Sequence, residues 1–241
     1  MKVFHITNNF PTKKHPIFGI FVKEQIQSLS RIGLENDIFF INSREEGLIS
    51  YLHGIFSIRK KLKSRTWDII HCHHAFSAVI LALTFAPCKF KTVVSYQNHF
   101  SREGGLMMYY IIKKVFNTVI NKLPVKDSYY LPNGVDLNYF RPMKMKECKA
   151  KLSLNHSIDY ILFMDSHKRR SQKRLDRFNE VINLLKEKYS RRVNPIILNN
   201  TKRSLVPLFI NASSLHLVTS DFEGSPNSVK ECMACNTPVV S

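Results

Sequence analysis

Acidic residues are scarce: the 241-residue chain has 18 Asp and Glu against 36 Lys and Arg, a formal balance of +18. An excess of this size points to an anionic partner: nucleic acid, a phosphate-bearing substrate or an acidic membrane face. It is equally compatible with a lysine-rich surface plus one phosphate site. The basic runs Arg59-Lys60-Lys61 and Lys168-Arg169-Arg170 come without an RNA-binding signature or zinc-finger spacing, so no nucleic-acid partner is expected. No apolar run approaches the ~20 residues that cross a bilayer. The first residues, Met1 to Ile6, follow a strand pattern rather than that of a signal peptide. The cysteines, Cys72, Cys88, Cys148, Cys232 and Cys235, are odd in number and form no disulfide framework, which fits reduced thiols in the cytosol. Cys232 and Cys235 form a C-x-x-C without a second pair, a spacing that suits packing on one helix face better than metal or redox work. Internal repeats and low-complexity segments are absent.

What is present is alternation. Short apolar runs read as strands over Lys2–Thr7, Asp37–Asn42, Asp68–His71 and Thr92–Tyr96, with Tyr129–Leu131 before the turn Pro132-Asn133-Gly134. Helical spacing falls between them: from Gly19 to a stop at Gly33, over Gly47–Lys63 and Ala75–Phe85, and over the long basic stretch Leu106–Leu123. A second series follows, with strands at Tyr160–Met164, Pro195–Leu198 and Leu215–Thr219, and helices at Lys146–Leu152, Arg174–Tyr189 and Leu205–Asn211. Pro238-Val239-Val240 opens one more strand. The pattern predicts an α/β protein with parallel sheets, in two domains spanning residues 1–135 and 136–241.

The segment richest in chemistry runs from Asp221 to Glu231 and contains Glu223-Gly224-Ser225-Pro226-Asn227-Ser228-Val229-Lys230-Glu231. It links the Leu215–Thr219 strand to a helix starting near Val229. An acid on the loop and an acid about one turn into the helix would share the crevice at the carboxyl end of a strand, where open α/β sheets bind nucleotides. Glycine at 224 lets the backbone approach a ligand closely. The turn residues Gly224, Ser225, Pro226 and Asn227 would present N–H groups at a helix N-terminus, a natural anion and hydroxyl site. The plainer alternative is an ordinary helix start with an acidic first turn and a solvent-exposed Glu231.

Four segments, in order, resemble those of the family-4 retaining glycosyltransferases, and most closely the bacterial surface-polysaccharide and teichuronic-acid-type members. They are Pro16-Ile17-Phe18-Gly19-Ile20-Phe21-Val22-Lys23-Glu24-Gln25; Trp67-Asp68-Ile69-Ile70-His71-Cys72-His73; Leu131-Pro132-Asn133-Gly134-Val135-Asp136 with Phe140 and Pro142; and Glu223 through Val240. The resemblance implies two facing Rossmann-like domains of glycosyltransferase B-type architecture. The first would lie on the acceptor side, and the second would bind the nucleotide-sugar.

It also implies site residues. Glu231 corresponds to the acid on the ribose diol, which a carboxylate can meet with two hydrogen bonds. Glu223 corresponds to the acid by the donor sugar, and Gly224 to Ser228 complete the donor loop. Arg170 and Lys173 stand at an Arg-x-x-Lys position that stabilises diphosphate charge as the glycosidic bond breaks, with Arg169 an alternative to Arg170. The family's frequent glycines stand here as Asp165 and Ser166. Gly19 would meet the diphosphate, or is simply a helix-start glycine. On the acceptor side the candidates are His73, Gln97 and His99; a family histidine aligns best with Gln97. His71, His73 and His74 could in principle hold a metal, but no metal or other cofactor is expected, and the pair Asp221-x-Glu223 is not read as a metal site.

The implied reaction is transfer of a sugar from a nucleotide-sugar to a glycan or lipid-linked acceptor, with retention, in cell-surface polysaccharide synthesis. Retention by front-face attack uses the donor phosphate as base and no protein nucleophile. The expected location is cytoplasmic, with peripheral contact at an anionic inner membrane face through Gly47–Lys63 and Leu106–Leu123. Two departures stand out. The stretch between Tyr110 and Pro132 is short, and the chain stops at Ser241 where relatives continue, so the second domain is expected to be truncated. Two rival readings remain: a catalytically inactive nucleotide- or glycan-binding relative, and a basic nucleic-acid-binding protein.

Overall fold

The computed structural model describes residues 1–85, 90–95, 129, 133–165, 171–190 and 192–241. It divides into two compact units, Met1–Leu131 and Pro132–Ser241. The expectations for Leu106–Leu123, for the Tyr129–Leu131 strand beyond its first residue, and for Gln97, His99, Arg169 and Arg170 lie outside the described residues, as does Cys88.

In the first unit β1 (Lys2–Thr7), β2 (Glu35–Phe40), β3 (Ile69–His73) and β4 (Lys91–Ser95) form a parallel sheet in the order β2-β1-β3-β4. The crossovers carry α1 (Ile20–Arg31), the single turn α2 (Ser43–Glu46), α3 (Ile49–Ser64) and α4 (Ala75–Leu83). Strand β2 starts earlier than the hydrophobic run suggests, because Glu35 and Asn36 already pair with Lys2 and Val3. One face of the sheet is apolar: Phe4, Ile6, Ile70 and Cys72 pack with Ile58 of α3 and Ala78, Ile80 and Leu81 of α4. Alternation sends Val3, His5, Thr7, His71 and His73 to the other face, where they too are buried. Four of those five side chains are polar, an unusual burden for a core face.

Gly19 precedes α1 in the left-handed region, at φ 64°. A Cβ there would lie 2.3 Å from the Asn9 carbonyl carbon, so the position requires glycine for backbone packing alone.

The second unit repeats the plan. Strands β5 (Asp159–Met164), β6 (Val193–Leu198), β7 (Leu215–Leu217) and β8 (Val239–Val240) form a parallel sheet in the order β6-β5-β7-β8. Its helices are α5 (Met145–Lys151), α6 (Leu175–Glu187), α7 (Val206–Ala212) and α8 (Asn227–Ala234). Strand β5 is buried on both faces, as central parallel strands require. Tyr160 and Leu162 join Ile196, Ile210 and Cys232 on one side, while Ile161 and Phe163 meet Phe178 and Ile182 of α6 on the other. Strand β6 extends two residues before Pro195, which pairs with Ile161. Proline is tolerated there because β6 is an edge strand, whose outer N–H groups need no partner.

Candidate functional site

Three loops leave the carboxyl edge of the second sheet: one after β5, one after the edge strand β6, and one after β7. The first and third are tied together by backbone groups. The Asp221 N–H donates to the Gln172 carbonyl at 2.9 Å. The Thr219 hydroxyl is shared between the carbonyls of Lys173 and Arg174, at 3.0 and 2.9 Å. Arg174 sits in the left-handed region at φ 52°. It is held there by the guanidinium, which reaches Asp176 at 2.7 Å and Asp221 at 3.0 Å. A strained backbone persists when its surroundings over-determine it in this way.

The strained turn fixes Lys173, the last residue of a 3-10 turn over Ser171–Lys173. Lys173 is buried, and its ammonium pairs with the Glu223 carboxylate. Glu223 also accepts from the Ser220 hydroxyl at 2.7 Å. The expected cation and the expected first acid are thus partners, brought together from two loops.

Glu231 lies in α8 and is 5% exposed, which excludes a solvent-facing role. Its Oε1 accepts from the Arg203 guanidinium at 2.8 Å. Arg203 comes from the loop after β6, and its guanidinium lies 4.7 Å over the ring of buried Phe140. Sequence reasoning missed Arg203. Its only signal is its place beyond a strand end, and that place matters only once the strand order is known. The two acids therefore sit on the same loop–helix segment but answer different cations.

The turn between them behaves as expected of a helix start. Asn227 and Ser228 open α8, with Pro226 at the cap position and Gly224 and Ser225 before it. The Asn227 Oδ1 is buried and has no hydrogen-bond partner among the described residues. Leaving such an oxygen unpaired costs about 1–3 kcal/mol. Ser228 meets His216 of β7, another residue the sequence did not single out. His216 Nδ1 lies 3.0 Å from the Leu162 carbonyl, so it carries the proton and donates. That leaves Nε2 to accept from the Ser228 hydroxyl at 3.3 Å. Burial holds His216 below the usual histidine range, partly offset by the Leu162 carbonyl. Lys173, His216, Ser220 and Ser228 line one small recess. The larger recess, about 360 Å³, lies at the opposite edge of the sheet against Asn155, Lys186, Arg192 and Asn194, away from both acids.

Asp221 and Glu223 both meet cations of the chain. Asp221 is bound to Arg174 and, at 3.1 Å, to Arg177, while Glu223 is bound to Lys173. Cys232 and Cys235 are buried free thiols in the core, and burial pushes Cys235 up to about 11 and Cys232 higher still. Both are inert as nucleophiles at neutral pH, as expected of packing residues.

In the first unit, His73 is 2% exposed and bonds to His5 Nδ1 through its Nε2 at 2.9 Å. His71 Nε2 lies 2.7 Å from the Ser95 hydroxyl. Burial, followed by neighbouring imidazoles, lowers His71 to about 4 and His73 to about 2. His74 does not join them: it caps α4, where its Nδ1 faces the Phe76 N–H. Helix α3 buries Ser50, Gly54 and Ile58 but leaves Leu48, Ile49, Leu52 and Phe56 exposed, next to the cations at Arg59, Lys60 and Lys63. Among the described residues, no helix is long and apolar enough to cross a membrane.

The sequence matches no family model and no curated protein. Its fold does match solved structures. The sucrose-phosphate synthase from Thermosynechococcus elongatus superposes with a TM-score of 0.70 at 12% identity, over 99% of this chain and 80% of that one. The Anabaena protein HepE, in complex with UDP, gives 0.58 at 12% identity over 100% of this chain and 80% of that one. The UDP-GlcNAc 2-epimerase from Methanocaldococcus jannaschii gives 0.55 at 11% identity over 99% and 83%. What these proteins share with the present chain is architecture: it has two parallel-sheet Rossmann-like units of the glycosyltransferase B-type fold.

Proposed function

We propose that the chain is a glycosyltransferase that binds a nucleotide-sugar at the carboxyl edge of its second sheet and passes the sugar to a glycan or lipid-linked hydroxyl. The observation that carries this reading is the pair of cation–carboxylate contacts, Lys173–Glu223 and Arg203–Glu231, on either side of the Gly224–Ser228 turn. Buried Glu231 would accept from the ribose diol, and its 2.8 Å contact with Arg203 supports a carboxylate held in one orientation. The orphaned Asn227 Oδ1 offers a further acceptor for a donor hydroxyl. In this reading Glu223 meets the sugar and Lys173 meets the diphosphate.

Bond cleavage leaves new negative charge on the diphosphate. Lys173 begins paired to Glu223, and growing charge on the leaving group draws the ammonium away from that carboxylate. The interaction therefore strengthens along the reaction, which is what lowers a barrier. The carboxylate so released accepts from a sugar hydroxyl. Transfer proceeds with retention, by front-face attack in which the donor phosphate takes the acceptor proton, without a metal at the donor site. The likeness to HepE in complex with UDP makes UDP-sugars the first donors to try. Exposed Leu52 and Phe56 beside the basic end of α3 support peripheral docking on an anionic membrane, where surface glycans grow.

The test is calorimetry with UDP-sugars followed by product analysis with acceptor. Glu231→Gln is expected to weaken donor binding by about 1–3 kcal/mol. Unchanged affinity would remove the site. A second reading, a relative that binds the donor without turnover, keeps the same contacts as a binding site only. Donor binding with neither transfer nor hydrolysis would favour that reading.

A further inference from the structure

The buried histidines of the first unit form a group that the donor site does not use. One ring nitrogen from each of His5, His71 and His73 lies within 4.8 Å of those of the other two. The ring centres are 5.5 Å apart for His5 and His71, 5.1 Å for His5 and His73, and 3.8 Å for His71 and His73. Parallel register creates the group: His5 stands opposite His71, and Thr7 opposite His73.

Hydrogen bonds fix the tautomers. The Asn36 amide nitrogen donates to the Ser30 hydroxyl at 2.9 Å and to the Leu34 carbonyl at 3.0 Å. Its Oδ1 therefore faces His5 Nε2, which must donate across 2.8 Å. His5 Nδ1 is then a bare acceptor, and the proton in the His5–His73 contact sits on His73 Nε2. That leaves His73 Nδ1 with a lone pair, buried and without a partner among the described residues. Two neighbouring imidazoles supply further lone pairs and no spare cation.

We propose that His5, His71 and His73 form a binding site for a divalent transition-metal ion of zinc type, separate from the donor site. Three imidazoles with a fourth position left open are a familiar zinc donor set, and imidazole suits borderline ions over magnesium or calcium. The surroundings match as well. A metal-bound histidine turns its other ring nitrogen to an orienting partner, and here His5 has Asn36 and His71 has Ser95. The rings bind as neutral ligands, so uptake needs no net proton release. With His5 ligating through Nδ1, His73 ligates through Nε2 once its single proton has moved to Nδ1, the nitrogen away from the ion.

The experiment uses the full chain, stripped with chelator and titrated with Co²⁺ and then Zn²⁺. One equivalent of Co²⁺ is expected, with the visible bands of a low-coordinate site, and Zn²⁺ should displace it. His71→Ala and His73→Ala should each lower Zn²⁺ affinity at least about tenfold, and Asn36→Ala about 10–100-fold. His74→Ala should leave it unchanged. X-ray absorption on the loaded wild-type protein decides the matter if the variants fold poorly: a shell of imidazole nitrogens supports the site. Sulfur ligation, affinity insensitive to His71 and His73, or no stoichiometric uptake overturns it. Donor binding is a separate readout, so failure here leaves the glycosyltransferase reading standing.

Discussion

Arg203 and Glu231 meet at 2.8 Å, although one leaves the edge strand and the other lies in a helix beyond the next strand but one. Glu231 is buried, and a buried carboxylate is tolerated only when paired and hydrogen-bonded. The pair therefore has a structural role as well as the orienting one proposed for donor binding. Arg203→Ala is expected to lower unfolding free energy by about 1–3 kcal/mol, the range for taking a hydrogen-bond partner from a buried polar group. Urea unfolding measures this. The double variant with Glu231→Gln should recover part of the loss, because the buried side chain at 231 is then neutral. Additive losses would show that the contact contributes nothing as a pair.

Lys173 has a different signature. Its ammonium is paired with Glu223 in the ligand-free protein, so in the proposed reaction its value comes from charge that appears later. Lys173→Ala is expected to lower turnover more than donor affinity, by about 10²–10³-fold, as for loss of a donor to a developing anion. Steady-state kinetics beside calorimetry separate the two. An effect on affinity alone would place Lys173 in ground-state binding only.

The protonation of His216 adds a pH dependence. Burial depresses this group from its ordinary value of 6.5. In the unfolded chain it takes up a proton near that value, whereas in the fold it resists. Its contribution to stability is thus complete above about pH 6.5 and is lost as pH falls toward the folded value, with a slope of at most about 1.4 kcal/mol per pH unit. Urea unfolding at about pH 7.5 and about pH 5.5 should show a smaller drop for His216→Asn than for the parent. Equal drops would mean that His216 titrates alike in both states.

The alternating apolar runs made both sheets legible, because β5 is apolar on both of its buried faces while β1 sets Phe4 and Ile6 on one face against His5 and Thr7 on the other, which leaves different but clear periodicities. Element ends were less legible. Pro195 reads as a strand start only because proline lacks an N–H, a defect that an edge position cancels. The acids at 223 and 231 were legible from their loop and helix setting, but their partners were not. Arg203 depends on strand order, and His5 joins His71 and His73 only through the register of two strands far apart in sequence. His5 also sits in a short strand where a lone polar residue reads as an ordinary inward or outward position. Local pattern specifies elements, whereas the meeting of distant side chains is set by how sheets assemble.

The last expectation concerns α3. An apolar stripe including Leu52 and Phe56 remains exposed on a helix whose opposite side buries Gly54 and Ile58. Each large apolar side chain transferred from water to an acyl boundary contributes about 1.5–3 kcal/mol, and each basic residue near an anionic surface about 1 kcal/mol. Together these terms favour binding to vesicles with anionic lipid and predict weak binding to neutral ones. Phe56→Glu removes an apolar anchor and adds repulsion, so it should reduce co-sedimentation with anionic vesicles about tenfold or more. Lys60→Glu should reduce it in a salt-dependent way. Since neither residue is near Lys173 or Glu223 in sequence or in the same unit, soluble-acceptor turnover should be unchanged in both variants. Binding that is equal for neutral and anionic vesicles, or that survives Phe56→Glu, would leave the exposed stripe unrelated to membranes.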